Sequence, residues 1–175
     1  HYDLSNEFFQ GFLDPTMTYS SAVFDGSDLD LERGQYRKVN ALLLSSDLSQ
    51  NDHILDIGCG WGYLITMAAS EYGCKATGVT LSQNQYQYCQ RLIDKLGLRN
   101  QVNVIFGDYR NLEGKFDHIF SVEMIEAVGH KGLDIFFEMC ANLLNDDGSV
   151  QIQAINIPHK RYDKYRKNCD FIQKY

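Results

Sequence analysis

Four short stretches carry the residue types and spacings that do chemistry. The first is Asp56-Ile-Gly58-Cys-Gly60-Trp-Gly62, with three glycines at alternate positions after an apolar run. Glycines so placed let a backbone turn tightly into a helix and pass close to a ligand. The second is Gly78-Val-Thr80-Leu81-Ser82, and the third is Gly107-Asp108-Tyr109-Arg110. An acid beside an aromatic ring is equipped to accept a hydrogen bond from a purine amino group and to stack on the base. A helix cap is the plainer reading of Asp108. The fourth is Ser121-Val-Glu123-Met-Ile-Glu126, with two carboxylates three residues apart, a spacing that puts both on one helical face. One of the two is expected to act in catalysis. A dinucleotide site is disfavoured. Its fingerprint needs glycine where Tyr63 stands, and an acid at the end of the second apolar run, where Gly78-Val79-Thr80 has none.

Each stretch follows a segment that reads as a buried strand, and helices separate the strands. Short apolar runs predict strands at 53–58, 75–80, 102–106, 116–122 and 150–157. Helices are expected at 61–72, closed by Gly73, and at 82–96, closed by Gly97. The second of these opens on the capping box Ser82-x-x-Gln85 and carries the stripe Tyr86, Cys89, Leu92, Ile93 and Leu96. A further stripe, Leu133, Phe136, Phe137, Cys140 and Leu144, precedes a turn at Asp146-Asp147-Gly148. Ahead of the first strand, a helix is expected at 5–13, capped by Ser5 or Asn6 and ended by Asp14-Pro15. Another is expected at 29–46, with Tyr36, Val39, Leu42 and Leu43 facing inward and Lys38 outside that face. Strand and helix alternate at the spacing of β-α-β units, which implies an α/β fold with a doubly wound, mostly parallel sheet. In such sheets ligands sit beyond the carboxyl ends of the strands, where all four stretches lie.

The 175 residues suit a single domain: an N-terminal helical lid over about 1–50, a Rossmann-like core over about 51–157 and a segment at 158–175. That last segment stops without a clear end, so later strands are expected to be missing. A net charge of −7 argues against nucleic acid as partner. No apolar run reaches the ~18 residues of a membrane span, and a cytoplasmic location is expected. The five cysteines include no C-x-x-C pair, which favours free thiols, and the histidines have no ligand spacing, so no metal is expected. Tyr2, Phe8, Phe9, Phe12 and Tyr19 read as core, or as a lid over the site. Lys160 to Lys167 reads as a solvated basic face, or as a contact for lipid headgroups.

The glycine spacing looks like the D-x-G-x-G-x-G of class I S-adenosylmethionine-dependent methyltransferases. The chain as a whole resembles the cyclopropane-fatty-acyl-phospholipid synthase and mycolic acid cyclopropane synthase family. The resemblance rests on 12–24, 55–62, 78–85, Asp108-Tyr-Arg110, 121–129 and Asp170-Phe-Ile172, in family order. It implies transfer of the cofactor's methyl onto the double bond of an unsaturated acyl chain of a phospholipid, at the inner membrane surface. Proton loss to bound bicarbonate then gives a cyclopropane. By motif, Tyr19 and Ser20 would touch the cofactor's amino-acid end, and Asp56, Gly58 and Gly60 would form its loop. Thr80, Leu81 and Gln85 would serve ribose and adenine, with Asp108 and Tyr109 near the adenine. Gln85 has a competing duty in the capping box.

The resemblance gives the catalytic positions as Glu126, Ser21 and Gln153. Glu126 matches the glutamate that holds bicarbonate. Ser21 and Gln153 stand where many relatives carry cysteine and histidine, and neither ionises near neutral pH. Methyl- or methylene-branched products are therefore alternatives to the ring. Two other readings fit the same residues: a small-molecule N- or O-methyltransferase, and a cofactor-binding fragment without turnover.

Overall fold

The structure is a computed structural model that describes residues 5–26 and 29–165, with side chains to Tyr162. Tyr2, Cys169 and Asp170-Phe-Ile172 lie outside the described residues. Five parallel strands form one sheet in the order β3-β2-β1-β4-β5. They are β1 (His53–Ile57), β2 (Lys75–Thr80), β3 (Val102–Phe106), β4 (Phe116–Val122) and β5 (Leu144–Gln153). The chain winds outward from β1 to β3, then crosses to the other side of β1 for β4 and β5. The strand order therefore switches between β1 and β4, where a crevice opens at the carboxyl ends.

The helices are α1 (Asn6–Gln10), α2 (Leu31–Leu44), α3 (Tyr63–Tyr72), α4 (Gln83–Leu96), α5 (Gly129–Leu143) and α6 (His159–Tyr165). Local chemistry explains most of their ends. Ser5, Asp30 and Ser82 cap α1, α2 and α4 by accepting from the backbone N–H three residues on. Gly73 and Gly97 end α3 and α4 in left-handed conformations.

The sheet is covered on both faces, as its continuous apolar strands require. Alternate residues of β1 serve opposite cores: Ile54 packs with residues of α2, α3 and α4, while Leu55 and Ile57 pack with Phe136, Cys140 and Leu143 of α5. Full burial of side chains such as Ile54, Leu55 and Phe136 contributes roughly 1.5–3 kcal/mol apiece.

The structure corrects several sequence expectations. Helix α1 stops at Gln10, ahead of Asp14-Pro15, because Gly11 already caps it. Leu96 is 48% exposed, while Leu98 is buried. The left-handed turn at Gly97 sends Leu98 back to the core, with its N–H on the Ile93 carbonyl. Asp146-Asp147-Gly148 is no turn before β5 but an irregularity inside it. Pairing moves from Phe116↔Leu144 to His118↔Ser149, and the exposed acids are looped out. Gly148 lies so close to β4 that an added Cβ would come within 2.6 Å of the Asp117 carbonyl. The inward face of α2 also differs: Tyr36 is exposed, while Lys38 and Gln35 are each only 2% exposed.

Candidate active site

The crevice opens into a cavity of about 570 Å³. The carboxyl ends of β1, β2 and β4 supply much of its wall, together with the segment at 17–20 and the helix that Gly60 and Gly62 introduce. The glycine loop is fixed from below: the N–H groups of Gly58 and Cys59 both donate to the Val79 carbonyl, at 3.0 and 3.1 Å. Gly58 sits at φ 83°, and an added Cβ would come within 2.7 Å of Met124 Cγ. At Gly60, with φ 54°, an added Cβ would meet nothing within 4 Å. It would project into open space beside the cavity. The loop is thus a cradle whose width depends on missing side chains.

Asp56 is the last polar residue of β1 and lies beneath this loop. It is buried, and its Oδ1 has no hydrogen-bond partner. Burial pushes its carboxyl up to about 7, against the opposing pull of the Lys38 charge. Lys38 arrives from α2 with Nζ donating to Ser20 Oγ at 2.6 Å. Burial lowers its ammonium to about 8, although Glu123, Asp14 and Asp56 all act to keep it charged. Three helix positions away, Gln35 Nε2 donates to the carbonyls of Ser20, at 2.8 Å, and Thr18, at 3.3 Å. Together Gln35 and Lys38 pin the 18–20 segment to the cavity wall. Sequence reading missed both. Their only signal was an i, i+3 polar pair beside Val39, which a solvent-facing helix would show equally well.

All ten residues expected on the cofactor side line this cavity: Tyr19, Ser20, Asp56, Gly58, Gly60, Thr80, Leu81, Gln85, Asp108 and Tyr109. Several have local partners. Thr80 Oγ1 donates to Gln85 Oε1 at 2.6 Å, and Ser82 caps α4 by accepting from the Gln85 N–H at 3.4 Å. The Asp108 carboxylate accepts from the Arg110 backbone at 2.9 Å and from its guanidinium. Those bonds hold it below the usual carboxylate range. Both the capping reading and a place on the cavity wall thus apply to Asp108. Trp61 and Phe9 pack at 4.7 Å, and the Trp61 N–H donates to Asn6. Phe9 is therefore core, while Phe8 and Phe12 are half exposed.

The catalytic positions drawn from the resemblance fall differently. Ser21, Gln153 and Glu126 are not among the wall residues, whereas Glu123 is. Ser21 and Gln153 do meet, and they meet around Glu123. Its Oε1 accepts from the Ser21 N–H at 2.9 Å and from Gln153 Nε2 at 2.9 Å. Gln153 Nε2 also donates to the Ser21 carbonyl at 3.1 Å. Glu126 is exposed and accepts from the Ile155 N–H at 2.6 Å. Glu123 itself has φ 50°, a conformation uncommon for a residue with a side chain. Burial raises its carboxyl, but the Ser21 and Gln153 hydrogen bonds and the Lys38 charge more than offset this, leaving it lowered.

Known proteins resemble the chain as a whole. The chain is 40% identical over 184 residues to a tuberculostearic acid methyltransferase of Mycobacterium tuberculosis, covering 100% of this chain and 42% of that protein. It is 37% identical to the sphingolipid C9-methyltransferase of Candida albicans, covering 98% of this chain and 34% of that one. The chain thus spans about half the length, or less, of these curated relatives. Among solved structures, a mycolic acid cyclopropane synthase complexed with SAH and CTAB superposes with a TM-score of 0.88 at 34% identity, over 95% of this chain and 58% of that chain. Such neighbours are class I S-adenosylmethionine-dependent methyltransferases. The family described as mycolic acid cyclopropane synthetase matches residues 1–175 throughout, and the chain belongs to that family.

Proposed function

We propose that the protein moves the methyl group of S-adenosylmethionine onto the double bond of an unsaturated fatty acyl chain, carried on a phospholipid. The observation that carries this reading is the two-sided cavity at the switch point. Its lining joins the glycine cradle and buried Asp56 to an apolar wall of Met124, Ala127, Val128 and Ile135 beside Glu123, with Lys38 near both carboxylates. The cradle suits a cofactor with a cationic amino-acid end. The unpartnered Asp56 Oδ1 offers that end an acceptor, and the space over Gly60 admits its backbone. The apolar wall suits a hydrocarbon chain, because an alkene is a weak nucleophile that must be held against the methyl away from water.

In this reading Tyr19 and Ser20 contact the cofactor's amino-acid end, while Thr80, Leu81 and Gln85 serve its ribose and adenine. Asp108 and Tyr109 sit at the base. The N-terminal 1–50 region acts as a lid, through the cluster of Phe9, Met17 and Trp61. The relatives support the substrate class: they act, by their names, on fatty acids, mycolic acids and sphingolipids. No helix among the described residues is long and apolar enough to cross a membrane, and the protein would meet its lipid at the bilayer surface.

The test is incubation with S-adenosylmethionine and vesicles of unsaturated phospholipid, followed by mass spectrometry of the released fatty acids. A gain of one CH2 is expected. Mild hydrogenation then separates a ring, which resists, from a methylene branch, which is reduced. Methylation of amines or phenols with no change in the lipid would refute the proposal.

A further inference from the structure

We propose that Glu123 is this protein's own proton acceptor, occupying the position for which the family resemblance suggests a bound bicarbonate. The inference rests on the methyl-transfer reading above and deepens it.

The donors on which an exogenous anion would depend are already engaged. Ser21 N–H and Gln153 Nε2 converge on one oxygen, Glu123 Oε1, each at 2.9 Å. Glu126 is turned away to the Ile155 N–H. A bicarbonate placed among these groups would displace the carboxylate from its donors and lie against a like charge. The residues present therefore do not fit a bicarbonate site, and no step is routed through one.

Glu123 meets the requirements of a base instead. It follows β4 directly, at the switch point, and shares the cavity wall with Gly58 and Met124. Its backbone is held at φ 50°, with its own N–H donating to the Gln153 carbonyl at 2.8 Å. A side chain kept in so unfavourable a conformation marks a place where position outweighs local comfort. Hydrogen bonding and Lys38 keep the carboxylate ionised at neutral pH. A fixed anion next to the apolar wall would also stabilise positive charge forming on the chain.

The chemistry balances without a further reagent. The alkene electron pair forms a bond to the methyl carbon as the C–S bond of the sulfonium donor breaks, and the pair of that bond stays on sulfur. The neighbouring chain carbon is left cationic, which makes adjacent C–H bonds strongly acidic, so even a weakly basic carboxylate suffices. Glu123 takes a proton from the new methyl group. The released electron pair closes a cyclopropane or, after hydride migration from the methylated carbon, forms the C=CH2 bond of a methylene branch. The proton passes to water when product leaves.

The experiment compares wild type, Glu123→Gln and Glu123→Gly on unsaturated phospholipid vesicles, in buffer stripped of carbon dioxide and in buffer with added bicarbonate. Wild type is expected to work equally well in both. Glu123→Gln is expected to lose roughly 10²- to 10⁴-fold in formation of the one-CH2 product. Its residual product should be enriched in chains bearing both methyl and hydroxyl, where water has captured the cation. Binding of S-adenosylhomocysteine, followed by calorimetry, should stay within about threefold of wild type, a difference well under 1.4 kcal/mol. Glu123→Gly relieves the backbone at φ 50° while losing the carboxylate's hydrogen bonds, so it should melt within about 5 °C of wild type, and assays below that transition separate its loss of turnover from unfolding. Wild-type activity that requires added bicarbonate, or a Glu123→Gln enzyme of near-normal turnover, would overturn the proposal. A wild type inactive on lipid in both buffers would instead refute the methyl-transfer reading on which it rests.

Discussion

The two sides of the cavity are built by different means. The cradle side is local: Gly58, Gly60 and Asp56 lie within one turn of chain, and Thr80 and Gln85 are five residues apart. Backbone groups do most of its work, held by the sheet beneath. The carboxylate side is assembled from a distance: Ser21 lies 102 residues from Glu123 and 132 from Gln153. Side chains do the work there, and three separate segments must be in place before any one of them is positioned. A site of the first kind is expected to tolerate loss of tertiary contacts better than a site of the second. On this basis the cradle governs cofactor affinity, and the carboxylate side governs turnover.

Variants can break or sharpen that division. The largest effect is the loss of turnover on replacing Glu123, with cofactor affinity unchanged. Next is Lys38, which sits between the two sides. Lys38→Met leaves buried Asp56 and nearby Asp14 and Glu123 without their cation. Denaturant unfolding at pH 7, where the Lys38 ammonium is still mostly charged, should show a loss of about 3 kcal/mol, the lower end of the range for breaking a buried ion pair. The loss should shrink at pH 5, where Asp56 is protonated. An equal loss at both pH values would mean that Lys38 acts by packing alone.

Gly60→Ala tests the cradle by itself. The left-handed backbone at φ 54° should cost about 1–2 kcal/mol of stability. S-adenosylhomocysteine affinity should fall tenfold or more as the methyl group enters the cavity, an effect above 1.4 kcal/mol. Turnover at saturating cofactor should stay near wild type. A lowered saturated rate with normal affinity would break the division of labour.

A pH series addresses Asp56. Its folded carboxyl, raised to about 7 by burial, stands above its value in the unfolded chain. The wild type should therefore lose stability relative to Asp56→Asn as pH rises from about 4 to 7. Ionised Asp56 favours a cationic cofactor, so S-adenosylmethionine affinity should rise with pH up to about 7, by at most about tenfold per pH unit. Calorimetry from pH 5.5 to 8 reads the slope, which Asp56→Asn should flatten. The smallest effect is expected for Asn6→Ala, which removes the acceptor of the Trp61 N–H and leaves the indole in place. Losing the N–H bond to Asn6 Oδ1 should cost about 1 kcal/mol, read as a shift in the denaturant midpoint.

Much of the molecule was determined by the sequence alone. Strands β1 to β4 match their expected spans to within a residue, and Ser82, Gly73 and Gly97 end their helices as residue chemistry dictates. These are local matters: an apolar run of strand length, a hydroxyl three residues before an N–H, a residue without a Cβ. The cradle was legible for the same reason, since its glycines stand at alternate positions of one short segment and the sheet places them by rule. Tertiary structure alone decided the rest. Lys38 reads as lying off the inward face of its helix, and Gln35 carries no signal of its own, until the 18–20 segment covers them. The irregularity in β5 brings Gly148 against the Asp117 carbonyl of a neighbouring strand, a contact set by pairing across the sheet. Of the two carboxylates after β4, sequence resemblance singled out Glu126, while the fold puts Glu123 on the cavity wall, with Ser21 and Gln153 around it. Spacing along a chain fixes which residues share a helix turn or a strand face. It carries no information about which donors arrive from a hundred residues away, and those donors determine where a charged side chain can rest.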